Sequence, residues 1–426
     1  MKVLYLMLVL ATAFLVGCSS EDTPVVSDIK QAAAGYAPYQ VSLNDALKKV
    51  EPIMEVLDGV NATRSNSRVV GDIEYVVNNK TRGQDGTNNV PDTLFYIVNY
   101  ADEQGFVVLS ADIRIPSIMA ISNIGNMALS DTTNNRTLAR WLENITYQSN
   151  ETACSYGALG DFDYADSTYR PPHLGDRVIE ITKHIKPHLD NFASRWGQKA
   201  PYNSYAYGTA QKRWALGCGP LAIAQIMSFH KWPNVIEGVS IDWDEVMKLP
   251  YEYDLSNPNF NKFYKFLAKV QSVSGAYPDK YPVMALKETS LIANITRLGY
   301  QTISAPAKFG SFNMFSKLDK EPLLIASSII DSSVGHMWVM DGILSYKETW
   351  DALVDGVRFY TMYHCVWGWD GANNGYFMFN TDGQNNFIDT TKPSDFEAGV
   401  DLGYVDSKSF YKIYDLRFWT LIPKKQ

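Results

Sequence analysis

The alternation of apolar and polar positions divides the chain into a leader and two parts built on different periods. Met1 and Lys2 precede an apolar run from Val3 to Val16, too short to span a bilayer comfortably and of the length of a signal-peptide core. After a polar stretch to about Pro38, residues 42–57 place Leu43, Ala46, Leu47, Val50 and Met54 at helical spacing. Ser42 and Asp45 suit a capping box there, and Pro52 is set to kink the helix. Two β-rich runs, LFYIVNY and GFVVLSA, flank the turn-like Ala101-Asp102-Glu103-Gln104-Gly105, which predicts a hairpin. Residues 138–147 return to the helical period through Leu138, Trp141, Leu142 and Ile145. These elements predict a small α+β domain ending near residue 150, followed by a linker, GALGDFDYADSTYRPPHLGD.

The second half, from about residue 180, puts helices first and strands after. Helical runs are expected from Cys218 to His230 and from about Val283 to Leu298. The runs LLIASSII, HMWVMDGILSY, VRFYTMYHCVW, GYFMFN and FYKIYDLRFWTLI then predict an antiparallel sheet.

With 426 residues and 46% hydrophobic content the chain can bury two cores. Its formal net charge of -8, with no cluster of Lys and Arg, excludes a polyanion-binding surface, so nucleic acid is not expected as a partner. The apolar run ends Leu15-Val16-Gly17-Cys18, followed by Ser19-Ser20-Glu21-Asp22. This resembles the lipobox of bacterial lipoproteins, which implies a signal peptide over residues 1–17 and acylation of Cys18. The protein is then exported and anchored to a membrane, at the outer membrane or surface of a Gram-negative cell, since each buried methylene contributes about 0.8 kcal/mol. The alternative is an ordinary cleaved signal with an incidental Cys.

Four cysteines are present, Cys18, Cys154, Cys218 and Cys365. Lipidation of Cys18 leaves three, so at least one thiol stays free. No CxxC occurs, and His364-Cys365 would point to opposite faces of a strand; neither a metal nor another cofactor is expected. Gly217 and Gly219 permit a tight turn around Cys218, with Pro220 suited to the first helical position. A thiol at a helix N-terminus has its pKa lowered by the unpaired N–H groups and the dipole. The helix that follows is apolar nearly all round, which reads as buried. A buried structural Cys218 is the competing reading. His336, 118 positions downstream at the start of a predicted strand, supplies an imidazole for a thiolate-imidazole pair that attacks a carbonyl.

These residues resemble the streptopain family of papain-like cysteine peptidases. The resemblance rests on Gly217-Cys218, Ala224-Gln225-Ile226-Met227, His230-Lys231-Trp232-Pro233-Asn234, Gly335-His336 with Asp341-Gly342, and Trp367-Gly368-Trp369-Asp370-Gly371 followed by Gly375-Tyr376-Phe377. It implies a papain-like catalytic domain over 180–426, helical part plus antiparallel sheet, with Cys218 as nucleophile and His336 as general base. Trp196-Gly197-Gln198 and Pro201-Tyr202-Asn203 resemble the segment that supplies the oxyanion-hole Gln, here Gln198. Trp367 is expected to pack against the imidazole and shield the pair from water. The N-terminal hairpin resembles the family's inhibitory propeptide, which implies a zymogen whose residues 18–165 block the cleft in cis; an independent binding module is the alternative.

The sequence departs from the family pattern at Gly219-Pro220, where Val-Ala is usual, and at Val366, where an Asn usually precedes the WGW. The first touches the oxyanion hole; the second removes a polar neighbour of His336 and predicts a poorer base. The expected partners are protein or peptide substrates, the chain's own propeptide and a membrane. Two rivals keep the same residues: a catalytically weak or inactive relative that binds peptides or a partner peptidase, and an acyl or glutaminyl transferase.

Overall fold

The structure is a computed structural model, in which residues 40–59, 68–77, 92–133, 135–158, 178–189, 191–250, 256–301, 307–308, 312–329, 335–349, 357–379 and 414–424 are described. The leader, Cys18 and most of the expected linker lie outside them. Ser42 accepts a hydrogen bond from the Asp45 amide at 3.2 Å and starts α1 (Leu43–Lys48). The single kinked helix expected over 42–57 is instead two, because Pro52 occupies the first turn of α2 (Glu51–Asp58), where its missing N–H costs no hydrogen bond.

The predicted hairpin forms as β2 (Thr93–Tyr100) against β3 (Phe106–Ser110). It is flanked by two strands that the sequence reading did not single out, β1 (Val70–Val77) on β2 and β4 (Ile118–Ser122) on β3. β3 and β4 are buried along their whole length, which is why they read as continuous apolar runs. Leu138, Trp141, Leu142 and Ile145 of α3 (Arg136–Ala158) bury as expected, but the helix continues eleven residues past Tyr147 into the first positions of the expected linker.

The second part begins with β5 (Val178–Ile185), α4 (Asn191–Ser194) and α5 (Cys218–His230), the last with the bounds its apolar run predicts. After α6 (Trp243–Val246) comes α7 (Pro258–Ser274), a helix missed in the sequence although Asn257 caps it and Pro258 opens it. Its Phe260, Phe263, Phe266, Leu267 and Val270 are buried, and it packs on α5. The helix expected from Val283 to Leu298 is shorter, α8 (Glu288–Asn294). Its first residues, Met284 and Ala285, pair with Tyr277 and Pro278 instead.

The remaining elements are β6 (Ala307–Lys308), α9 (Phe312–Leu318), β7 (Leu323–Ile329), β8 (Gly335–Thr349), β9 (Val357–Val366), β10 (Gly375–Met378) and β11 (Tyr414–Trp419). All the strands from β1 to β11 form one sheet in the order β1-β2-β3-β4-β10-β9-β8-β7-β11-β6, with β5 paired to β8. Every pairing in it is antiparallel. The architecture is therefore the α+β one expected, helices against an antiparallel sheet with an N-terminal α+β part in front. One consequence was not legible: β4 pairs with β10 through Ile121↔Tyr376 and Ala120↔Phe377, so the two parts share a single sheet.

Two hydrophobic cores lie on the two sides of that sheet. One joins the N-terminal strands and α3 to Trp338, Met340, Cys365, Trp367 and Phe377. The other joins α5 and α7 to Met337, Val339, Val366 and Trp419. The alternation along β8 and β9 thus sends neighbouring residues to different cores. A bulge at Asp341 interrupts it, with Met340↔Cys365 and Gly342↔His364 on either side.

Candidate active site

Gly217 takes φ 90°, a left-handed conformation open to glycine, and caps α5 so that Cys218 is its first residue. Pro220 stands two positions further in than expected, still within the first turn, where its missing N–H leaves no carbonyl unpaired. The Cys218 sulfur is half-buried and accepts a hydrogen bond from the Met337 amide at 3.4 Å. Burial pushes the thiol up, but the charge and hydrogen bond of His336, with the backbone N–H groups of Met337 and Gly219, outweigh it. The thiol lies below its ordinary value. Cys365 is the contrast, pushed well above its ordinary value by complete burial. The side chain of Cys154 lies outside the described ones.

His336 sits at the second position of β8, directly opposite Ser327 of β7. Its Nε2 lies 3.1 Å from the Trp367 carbonyl oxygen. Its ring runs nearly parallel to two indoles, Trp338 at 5.9 Å and Trp369 at 6.0 Å between centroids. The Trp367 ring is elsewhere, fully buried against Trp338 at 5.3 Å and Phe377 at 5.1 Å. The ring contact expected of Trp367 is thus made by Trp338 and Trp369, and Trp367 meets the imidazole through its carbonyl. Val366, opposite Val339, is buried in the helix-side core.

Gln198 is buried, and its main-chain carbonyl accepts from the Leu216 amide at 2.8 Å, which ties its segment to the approach to Cys218. Its side-chain Nε2 is 3.4 Å from the Gly368 carbonyl oxygen. Two buried amides missed in the sequence hold this frame. Gln271 of α7 donates to the carbonyls of Ala215 and Leu216 and accepts from the Tyr207 amide. Asn374 accepts from the Trp367 amide at 3.2 Å and donates to the Ser194 carbonyl at 2.8 Å. Neither carried a signal, since a lone amide in an apolar helix or turn has no pattern of its own.

The Trp367 loop also meets the N-terminal part. Asn373 donates to the Asn126 carbonyl and to Asp131 at 2.8 Å, and the Trp141 indole N–H donates to the Met378 carbonyl at 2.7 Å. Asp341 of the Gly-His-x-x-x-x-Asp-Gly stretch is fully buried; it accepts from the Leu189 amide at 2.9 Å and lies 2.6 Å from His364 Nδ1. The structure thus gives the motif Asp a structural task and brings His364 to it. Among the described residues no group of His, Cys, Asp and Glu is arranged to hold a metal ion.

The arrangement can supply a thiol nucleophile with a lowered pKa and an imidazole oriented by a carbonyl. Known proteins similar to this chain include thiol proteases. The Peptidase C10 family matches residues 196–271, and the Spi protease inhibitor family matches residues 39–149. The chain is 24% identical over 328 residues to streptopain of Streptococcus pyogenes, covering 65% of this chain and 71% of streptopain. It is 22% identical over 324 residues to the thiol protease/hemagglutinin PrtT of Porphyromonas gingivalis, covering 68% of this chain but only 34% of PrtT. A solved fragment of Prevotella intermedia prointerpain A aligns with 78% of this chain and 96% of its own at 18% identity and a TM-score of 0.46. Within this chain a stretch similar to the Peptidase C10, or streptopain, family therefore follows one similar to the Spi protease inhibitor.

Proposed function

We propose that the protein is a cysteine endopeptidase made as a zymogen, exported and anchored to a membrane through lipid on Cys18. The observation that carries the peptidase reading is the half-buried Cys218 sulfur at the start of α5, beside His336, with its thiol held below the ordinary value. In this reading the Cys218 thiolate attacks the carbonyl carbon of the scissile bond, and a C–S bond forms as the carbonyl oxygen becomes an oxyanion. The Cys218 N–H and the Gln198 side-chain amide hold that oxygen. The His336 imidazolium gives its proton to the leaving amine, the C–N bond breaks, and an acyl-enzyme remains. Water then attacks the thioester, His336 takes one of its protons, and the C–S bond breaks as Cys218 returns to the thiolate and the carboxylic acid product leaves, giving its remaining proton to solvent. Trp338 and Trp369 flank the imidazole and keep water from its faces.

The test is incubation with casein and a thiol-directed inhibitor, with the modified residue identified by mass spectrometry. Labelling of Cys218 together with loss of casein hydrolysis is expected; hydrolysis that survives complete labelling of Cys218 would overturn the reading. The second reading, a weak or inactive peptide-binding relative, drew its support from Val366. The contact between His336 and the Trp367 carbonyl weakens it, because the base has an orienting acceptor without any side chain at 366.

Residues 18–165 are proposed to act as the inhibitor in cis, the catalytic domain beginning near residue 180. Support comes from the shared sheet and from the hydrogen bonds of Asn126 and Asp131 to Asn373, in the loop that carries Trp367 and Trp369. The lipid anchor rests on the lipobox resemblance. It calls for partition of the protein into detergent with the membrane fraction and release by Cys18→Ser; a mature N-terminus elsewhere, unmodified, would remove it.

A further inference from the structure

Four exposed tyrosines and an exposed valine lie on two short stretches, residues 205–207 and 277–283. Among the described residues the exposed large apolar side chains include Tyr205, Tyr207, Tyr277, Tyr281 and Val283, with Tyr207 at 55% and Tyr281 at 48%. Trp214 joins the two stretches: its ring is edge-on to Tyr207 at 6.0 Å and to Tyr281 at 5.4 Å. Hydrogen bonds from Trp214 N to the Tyr207 carbonyl and from Ala215 N to the Pro282 carbonyl fix the stretches together. Gln271 ties the first stretch to α7 through Tyr207 N and the Ala215 carbonyl.

Lysines lie over this array. Lys212 Nζ is 4.6 Å from the Tyr281 ring centre, Lys265 is 5.2 Å from Tyr205 and Lys287 is 5.5 Å from Tyr277. Residues 205–215 and 277–287 carry Lys212, Arg213, Lys280 and Lys287 against one carboxylate, Asp279, in a chain whose net charge is -8. A local excess of cations on an acidic protein, spread over exposed rings, presents complementary ground to an acidic and apolar ligand.

The array is also continuous with the nucleophile. Cys218 lies four positions after Trp214, so their Cα atoms are no more than about 14 Å apart, the span of about four extended substrate residues. The second stretch passes the same point, since a Cβ on Gly217 would meet the Met284 carbonyl at 3.0 Å and one on Gly219 would meet Leu286 at 2.7 Å. Rigid exposed rings of this kind supply contact area at low entropic cost.

Resting on the peptidase reading above, we propose that Trp214, Tyr207, Tyr281, Lys212 and Lys287 form an accessory subsite. It binds a segment of polypeptide substrate a few residues from the scissile bond and selects an acidic side chain beside an apolar or aromatic one. The ammonium groups over the rings receive the carboxylate, and the rings receive the neighbouring side chain.

The array is exposed with the N-terminal part in place, so binding is measured first on the full chain bearing Cys218→Ala, which does not need turnover. Fluorescence anisotropy with labelled ten-residue peptides that differ only in one Glu, Ala or Lys beside a Phe should show the Glu peptide bound about tenfold tighter than the Lys peptide. Lys212→Glu with Lys287→Glu, both at exposed positions, should abolish or invert that order, and Trp214→Ala should weaken the Glu peptide while leaving the circular dichroism spectrum in place. Equal binding of the three peptides, or an order unmoved by the charge reversals, overturns the subsite. The peptidase reading is judged separately, with a short blocked reporter that cannot reach the array. In the processed wild-type enzyme, walking Glu outward on either side of a fixed scissile bond should raise kcat/KM relative to that reporter at one or two positions, through KM. A flat response with the reporter still cleaved removes the subsite alone, and an uncleaved reporter removes the peptidase reading whatever the anisotropy shows.

Discussion

His336 Nε2 lies 3.1 Å from the main-chain carbonyl oxygen of Trp367. A general base needs an acceptor on its far nitrogen to fix its ring and its tautomer. A carbonyl does this as an amide side chain would, and it cannot be lost by substitution of a side chain. Val366, adjacent in sequence, is buried with the helix-side core, where an amide would find apolar neighbours. Val366→Asn is therefore expected to lower stability by about 2 kcal/mol without raising kcat. Thermal unfolding and turnover of the processed enzyme measure both, and a gain in kcat would show that the base lacks a partner.

The carbonyl is itself held, because Asn374 accepts from the Trp367 amide and donates to Ser194. Asn374→Ala should let the loop drift and cost about ten- to a hundredfold in kcat, with little change in KM. An altered pH profile of kcat would separate this positioning effect from simple loss of folded protein, which moves the amount of active enzyme but not its profile.

The thiols should sort by pH. Because the folded Cys218 thiol lies below its ordinary value, its thiolate persists as pH falls to values where free thiols, near about 8.5, are protonated. Cys365 is shifted the other way by burial and should react only on unfolding. Alkylation of the native chain at pH 6 followed by peptide mapping should label Cys218 and spare Cys365. His336→Ala removes the strongest influence that lowers the Cys218 thiol and should shift its labelling profile to higher pH, while Cys218→Ala or His336→Ala should reduce peptidase activity by about a thousandfold or more.

Gly197 is fixed by space. A Cβ there would stand 1.9 Å from Asp370 Oδ1, so the Asp370 carboxyl occupies the volume beside the residue that precedes Gln198. Burial pushes that carboxyl up, against the lowering influence of Lys199. Gly197→Ala should destabilise the chain by about 1–3 kcal/mol and displace Gln198, and Gly197→Ala with Asp370→Gly should recover part of the stability. Chemical denaturation of the single and double variants reads the coupling; no recovery would mean that the crowding lies elsewhere.

The elements that were legible in the sequence are those whose signal is local. The apolar run and glycine pair at Cys218 give α5 its bounds, and five apolar runs give β7 to β11. What escaped depends on contacts distant in sequence. β5 is a half-exposed strand recognisable only once β8 is there to pair with it. The residues from Val283 look helical, but pairing of Met284 with Pro278 wins over propensity at that end. Trp369 against His336 follows from the turn after Trp367, whose course no periodicity records, so the choice among Trp338, Trp367 and Trp369 was not legible before folding.

The shared sheet changes what cleavage of the linker should do. β4 pairs with β10, the Trp141 ring is 5.0 Å from Phe377 with its N–H on the Met378 carbonyl, and Phe106 is 6.3 Å from Phe377. Both sides of that junction lie in one hydrophobic core. A single cut between about residues 161 and 177 leaves all these contacts intact, so the two fragments should co-elute on size exclusion and peptidase activity should stay low. Activity should rise only as the N-terminal fragment is degraded or displaced. Trp141→Ala removes a buried indole from this junction, typically worth about 3–5 kcal/mol, and should allow separation of the fragments after the same cut, with activity rising in step. Fragments of the unaltered chain that separate at once, already active, would show that the common sheet does not hold the inhibitor in place.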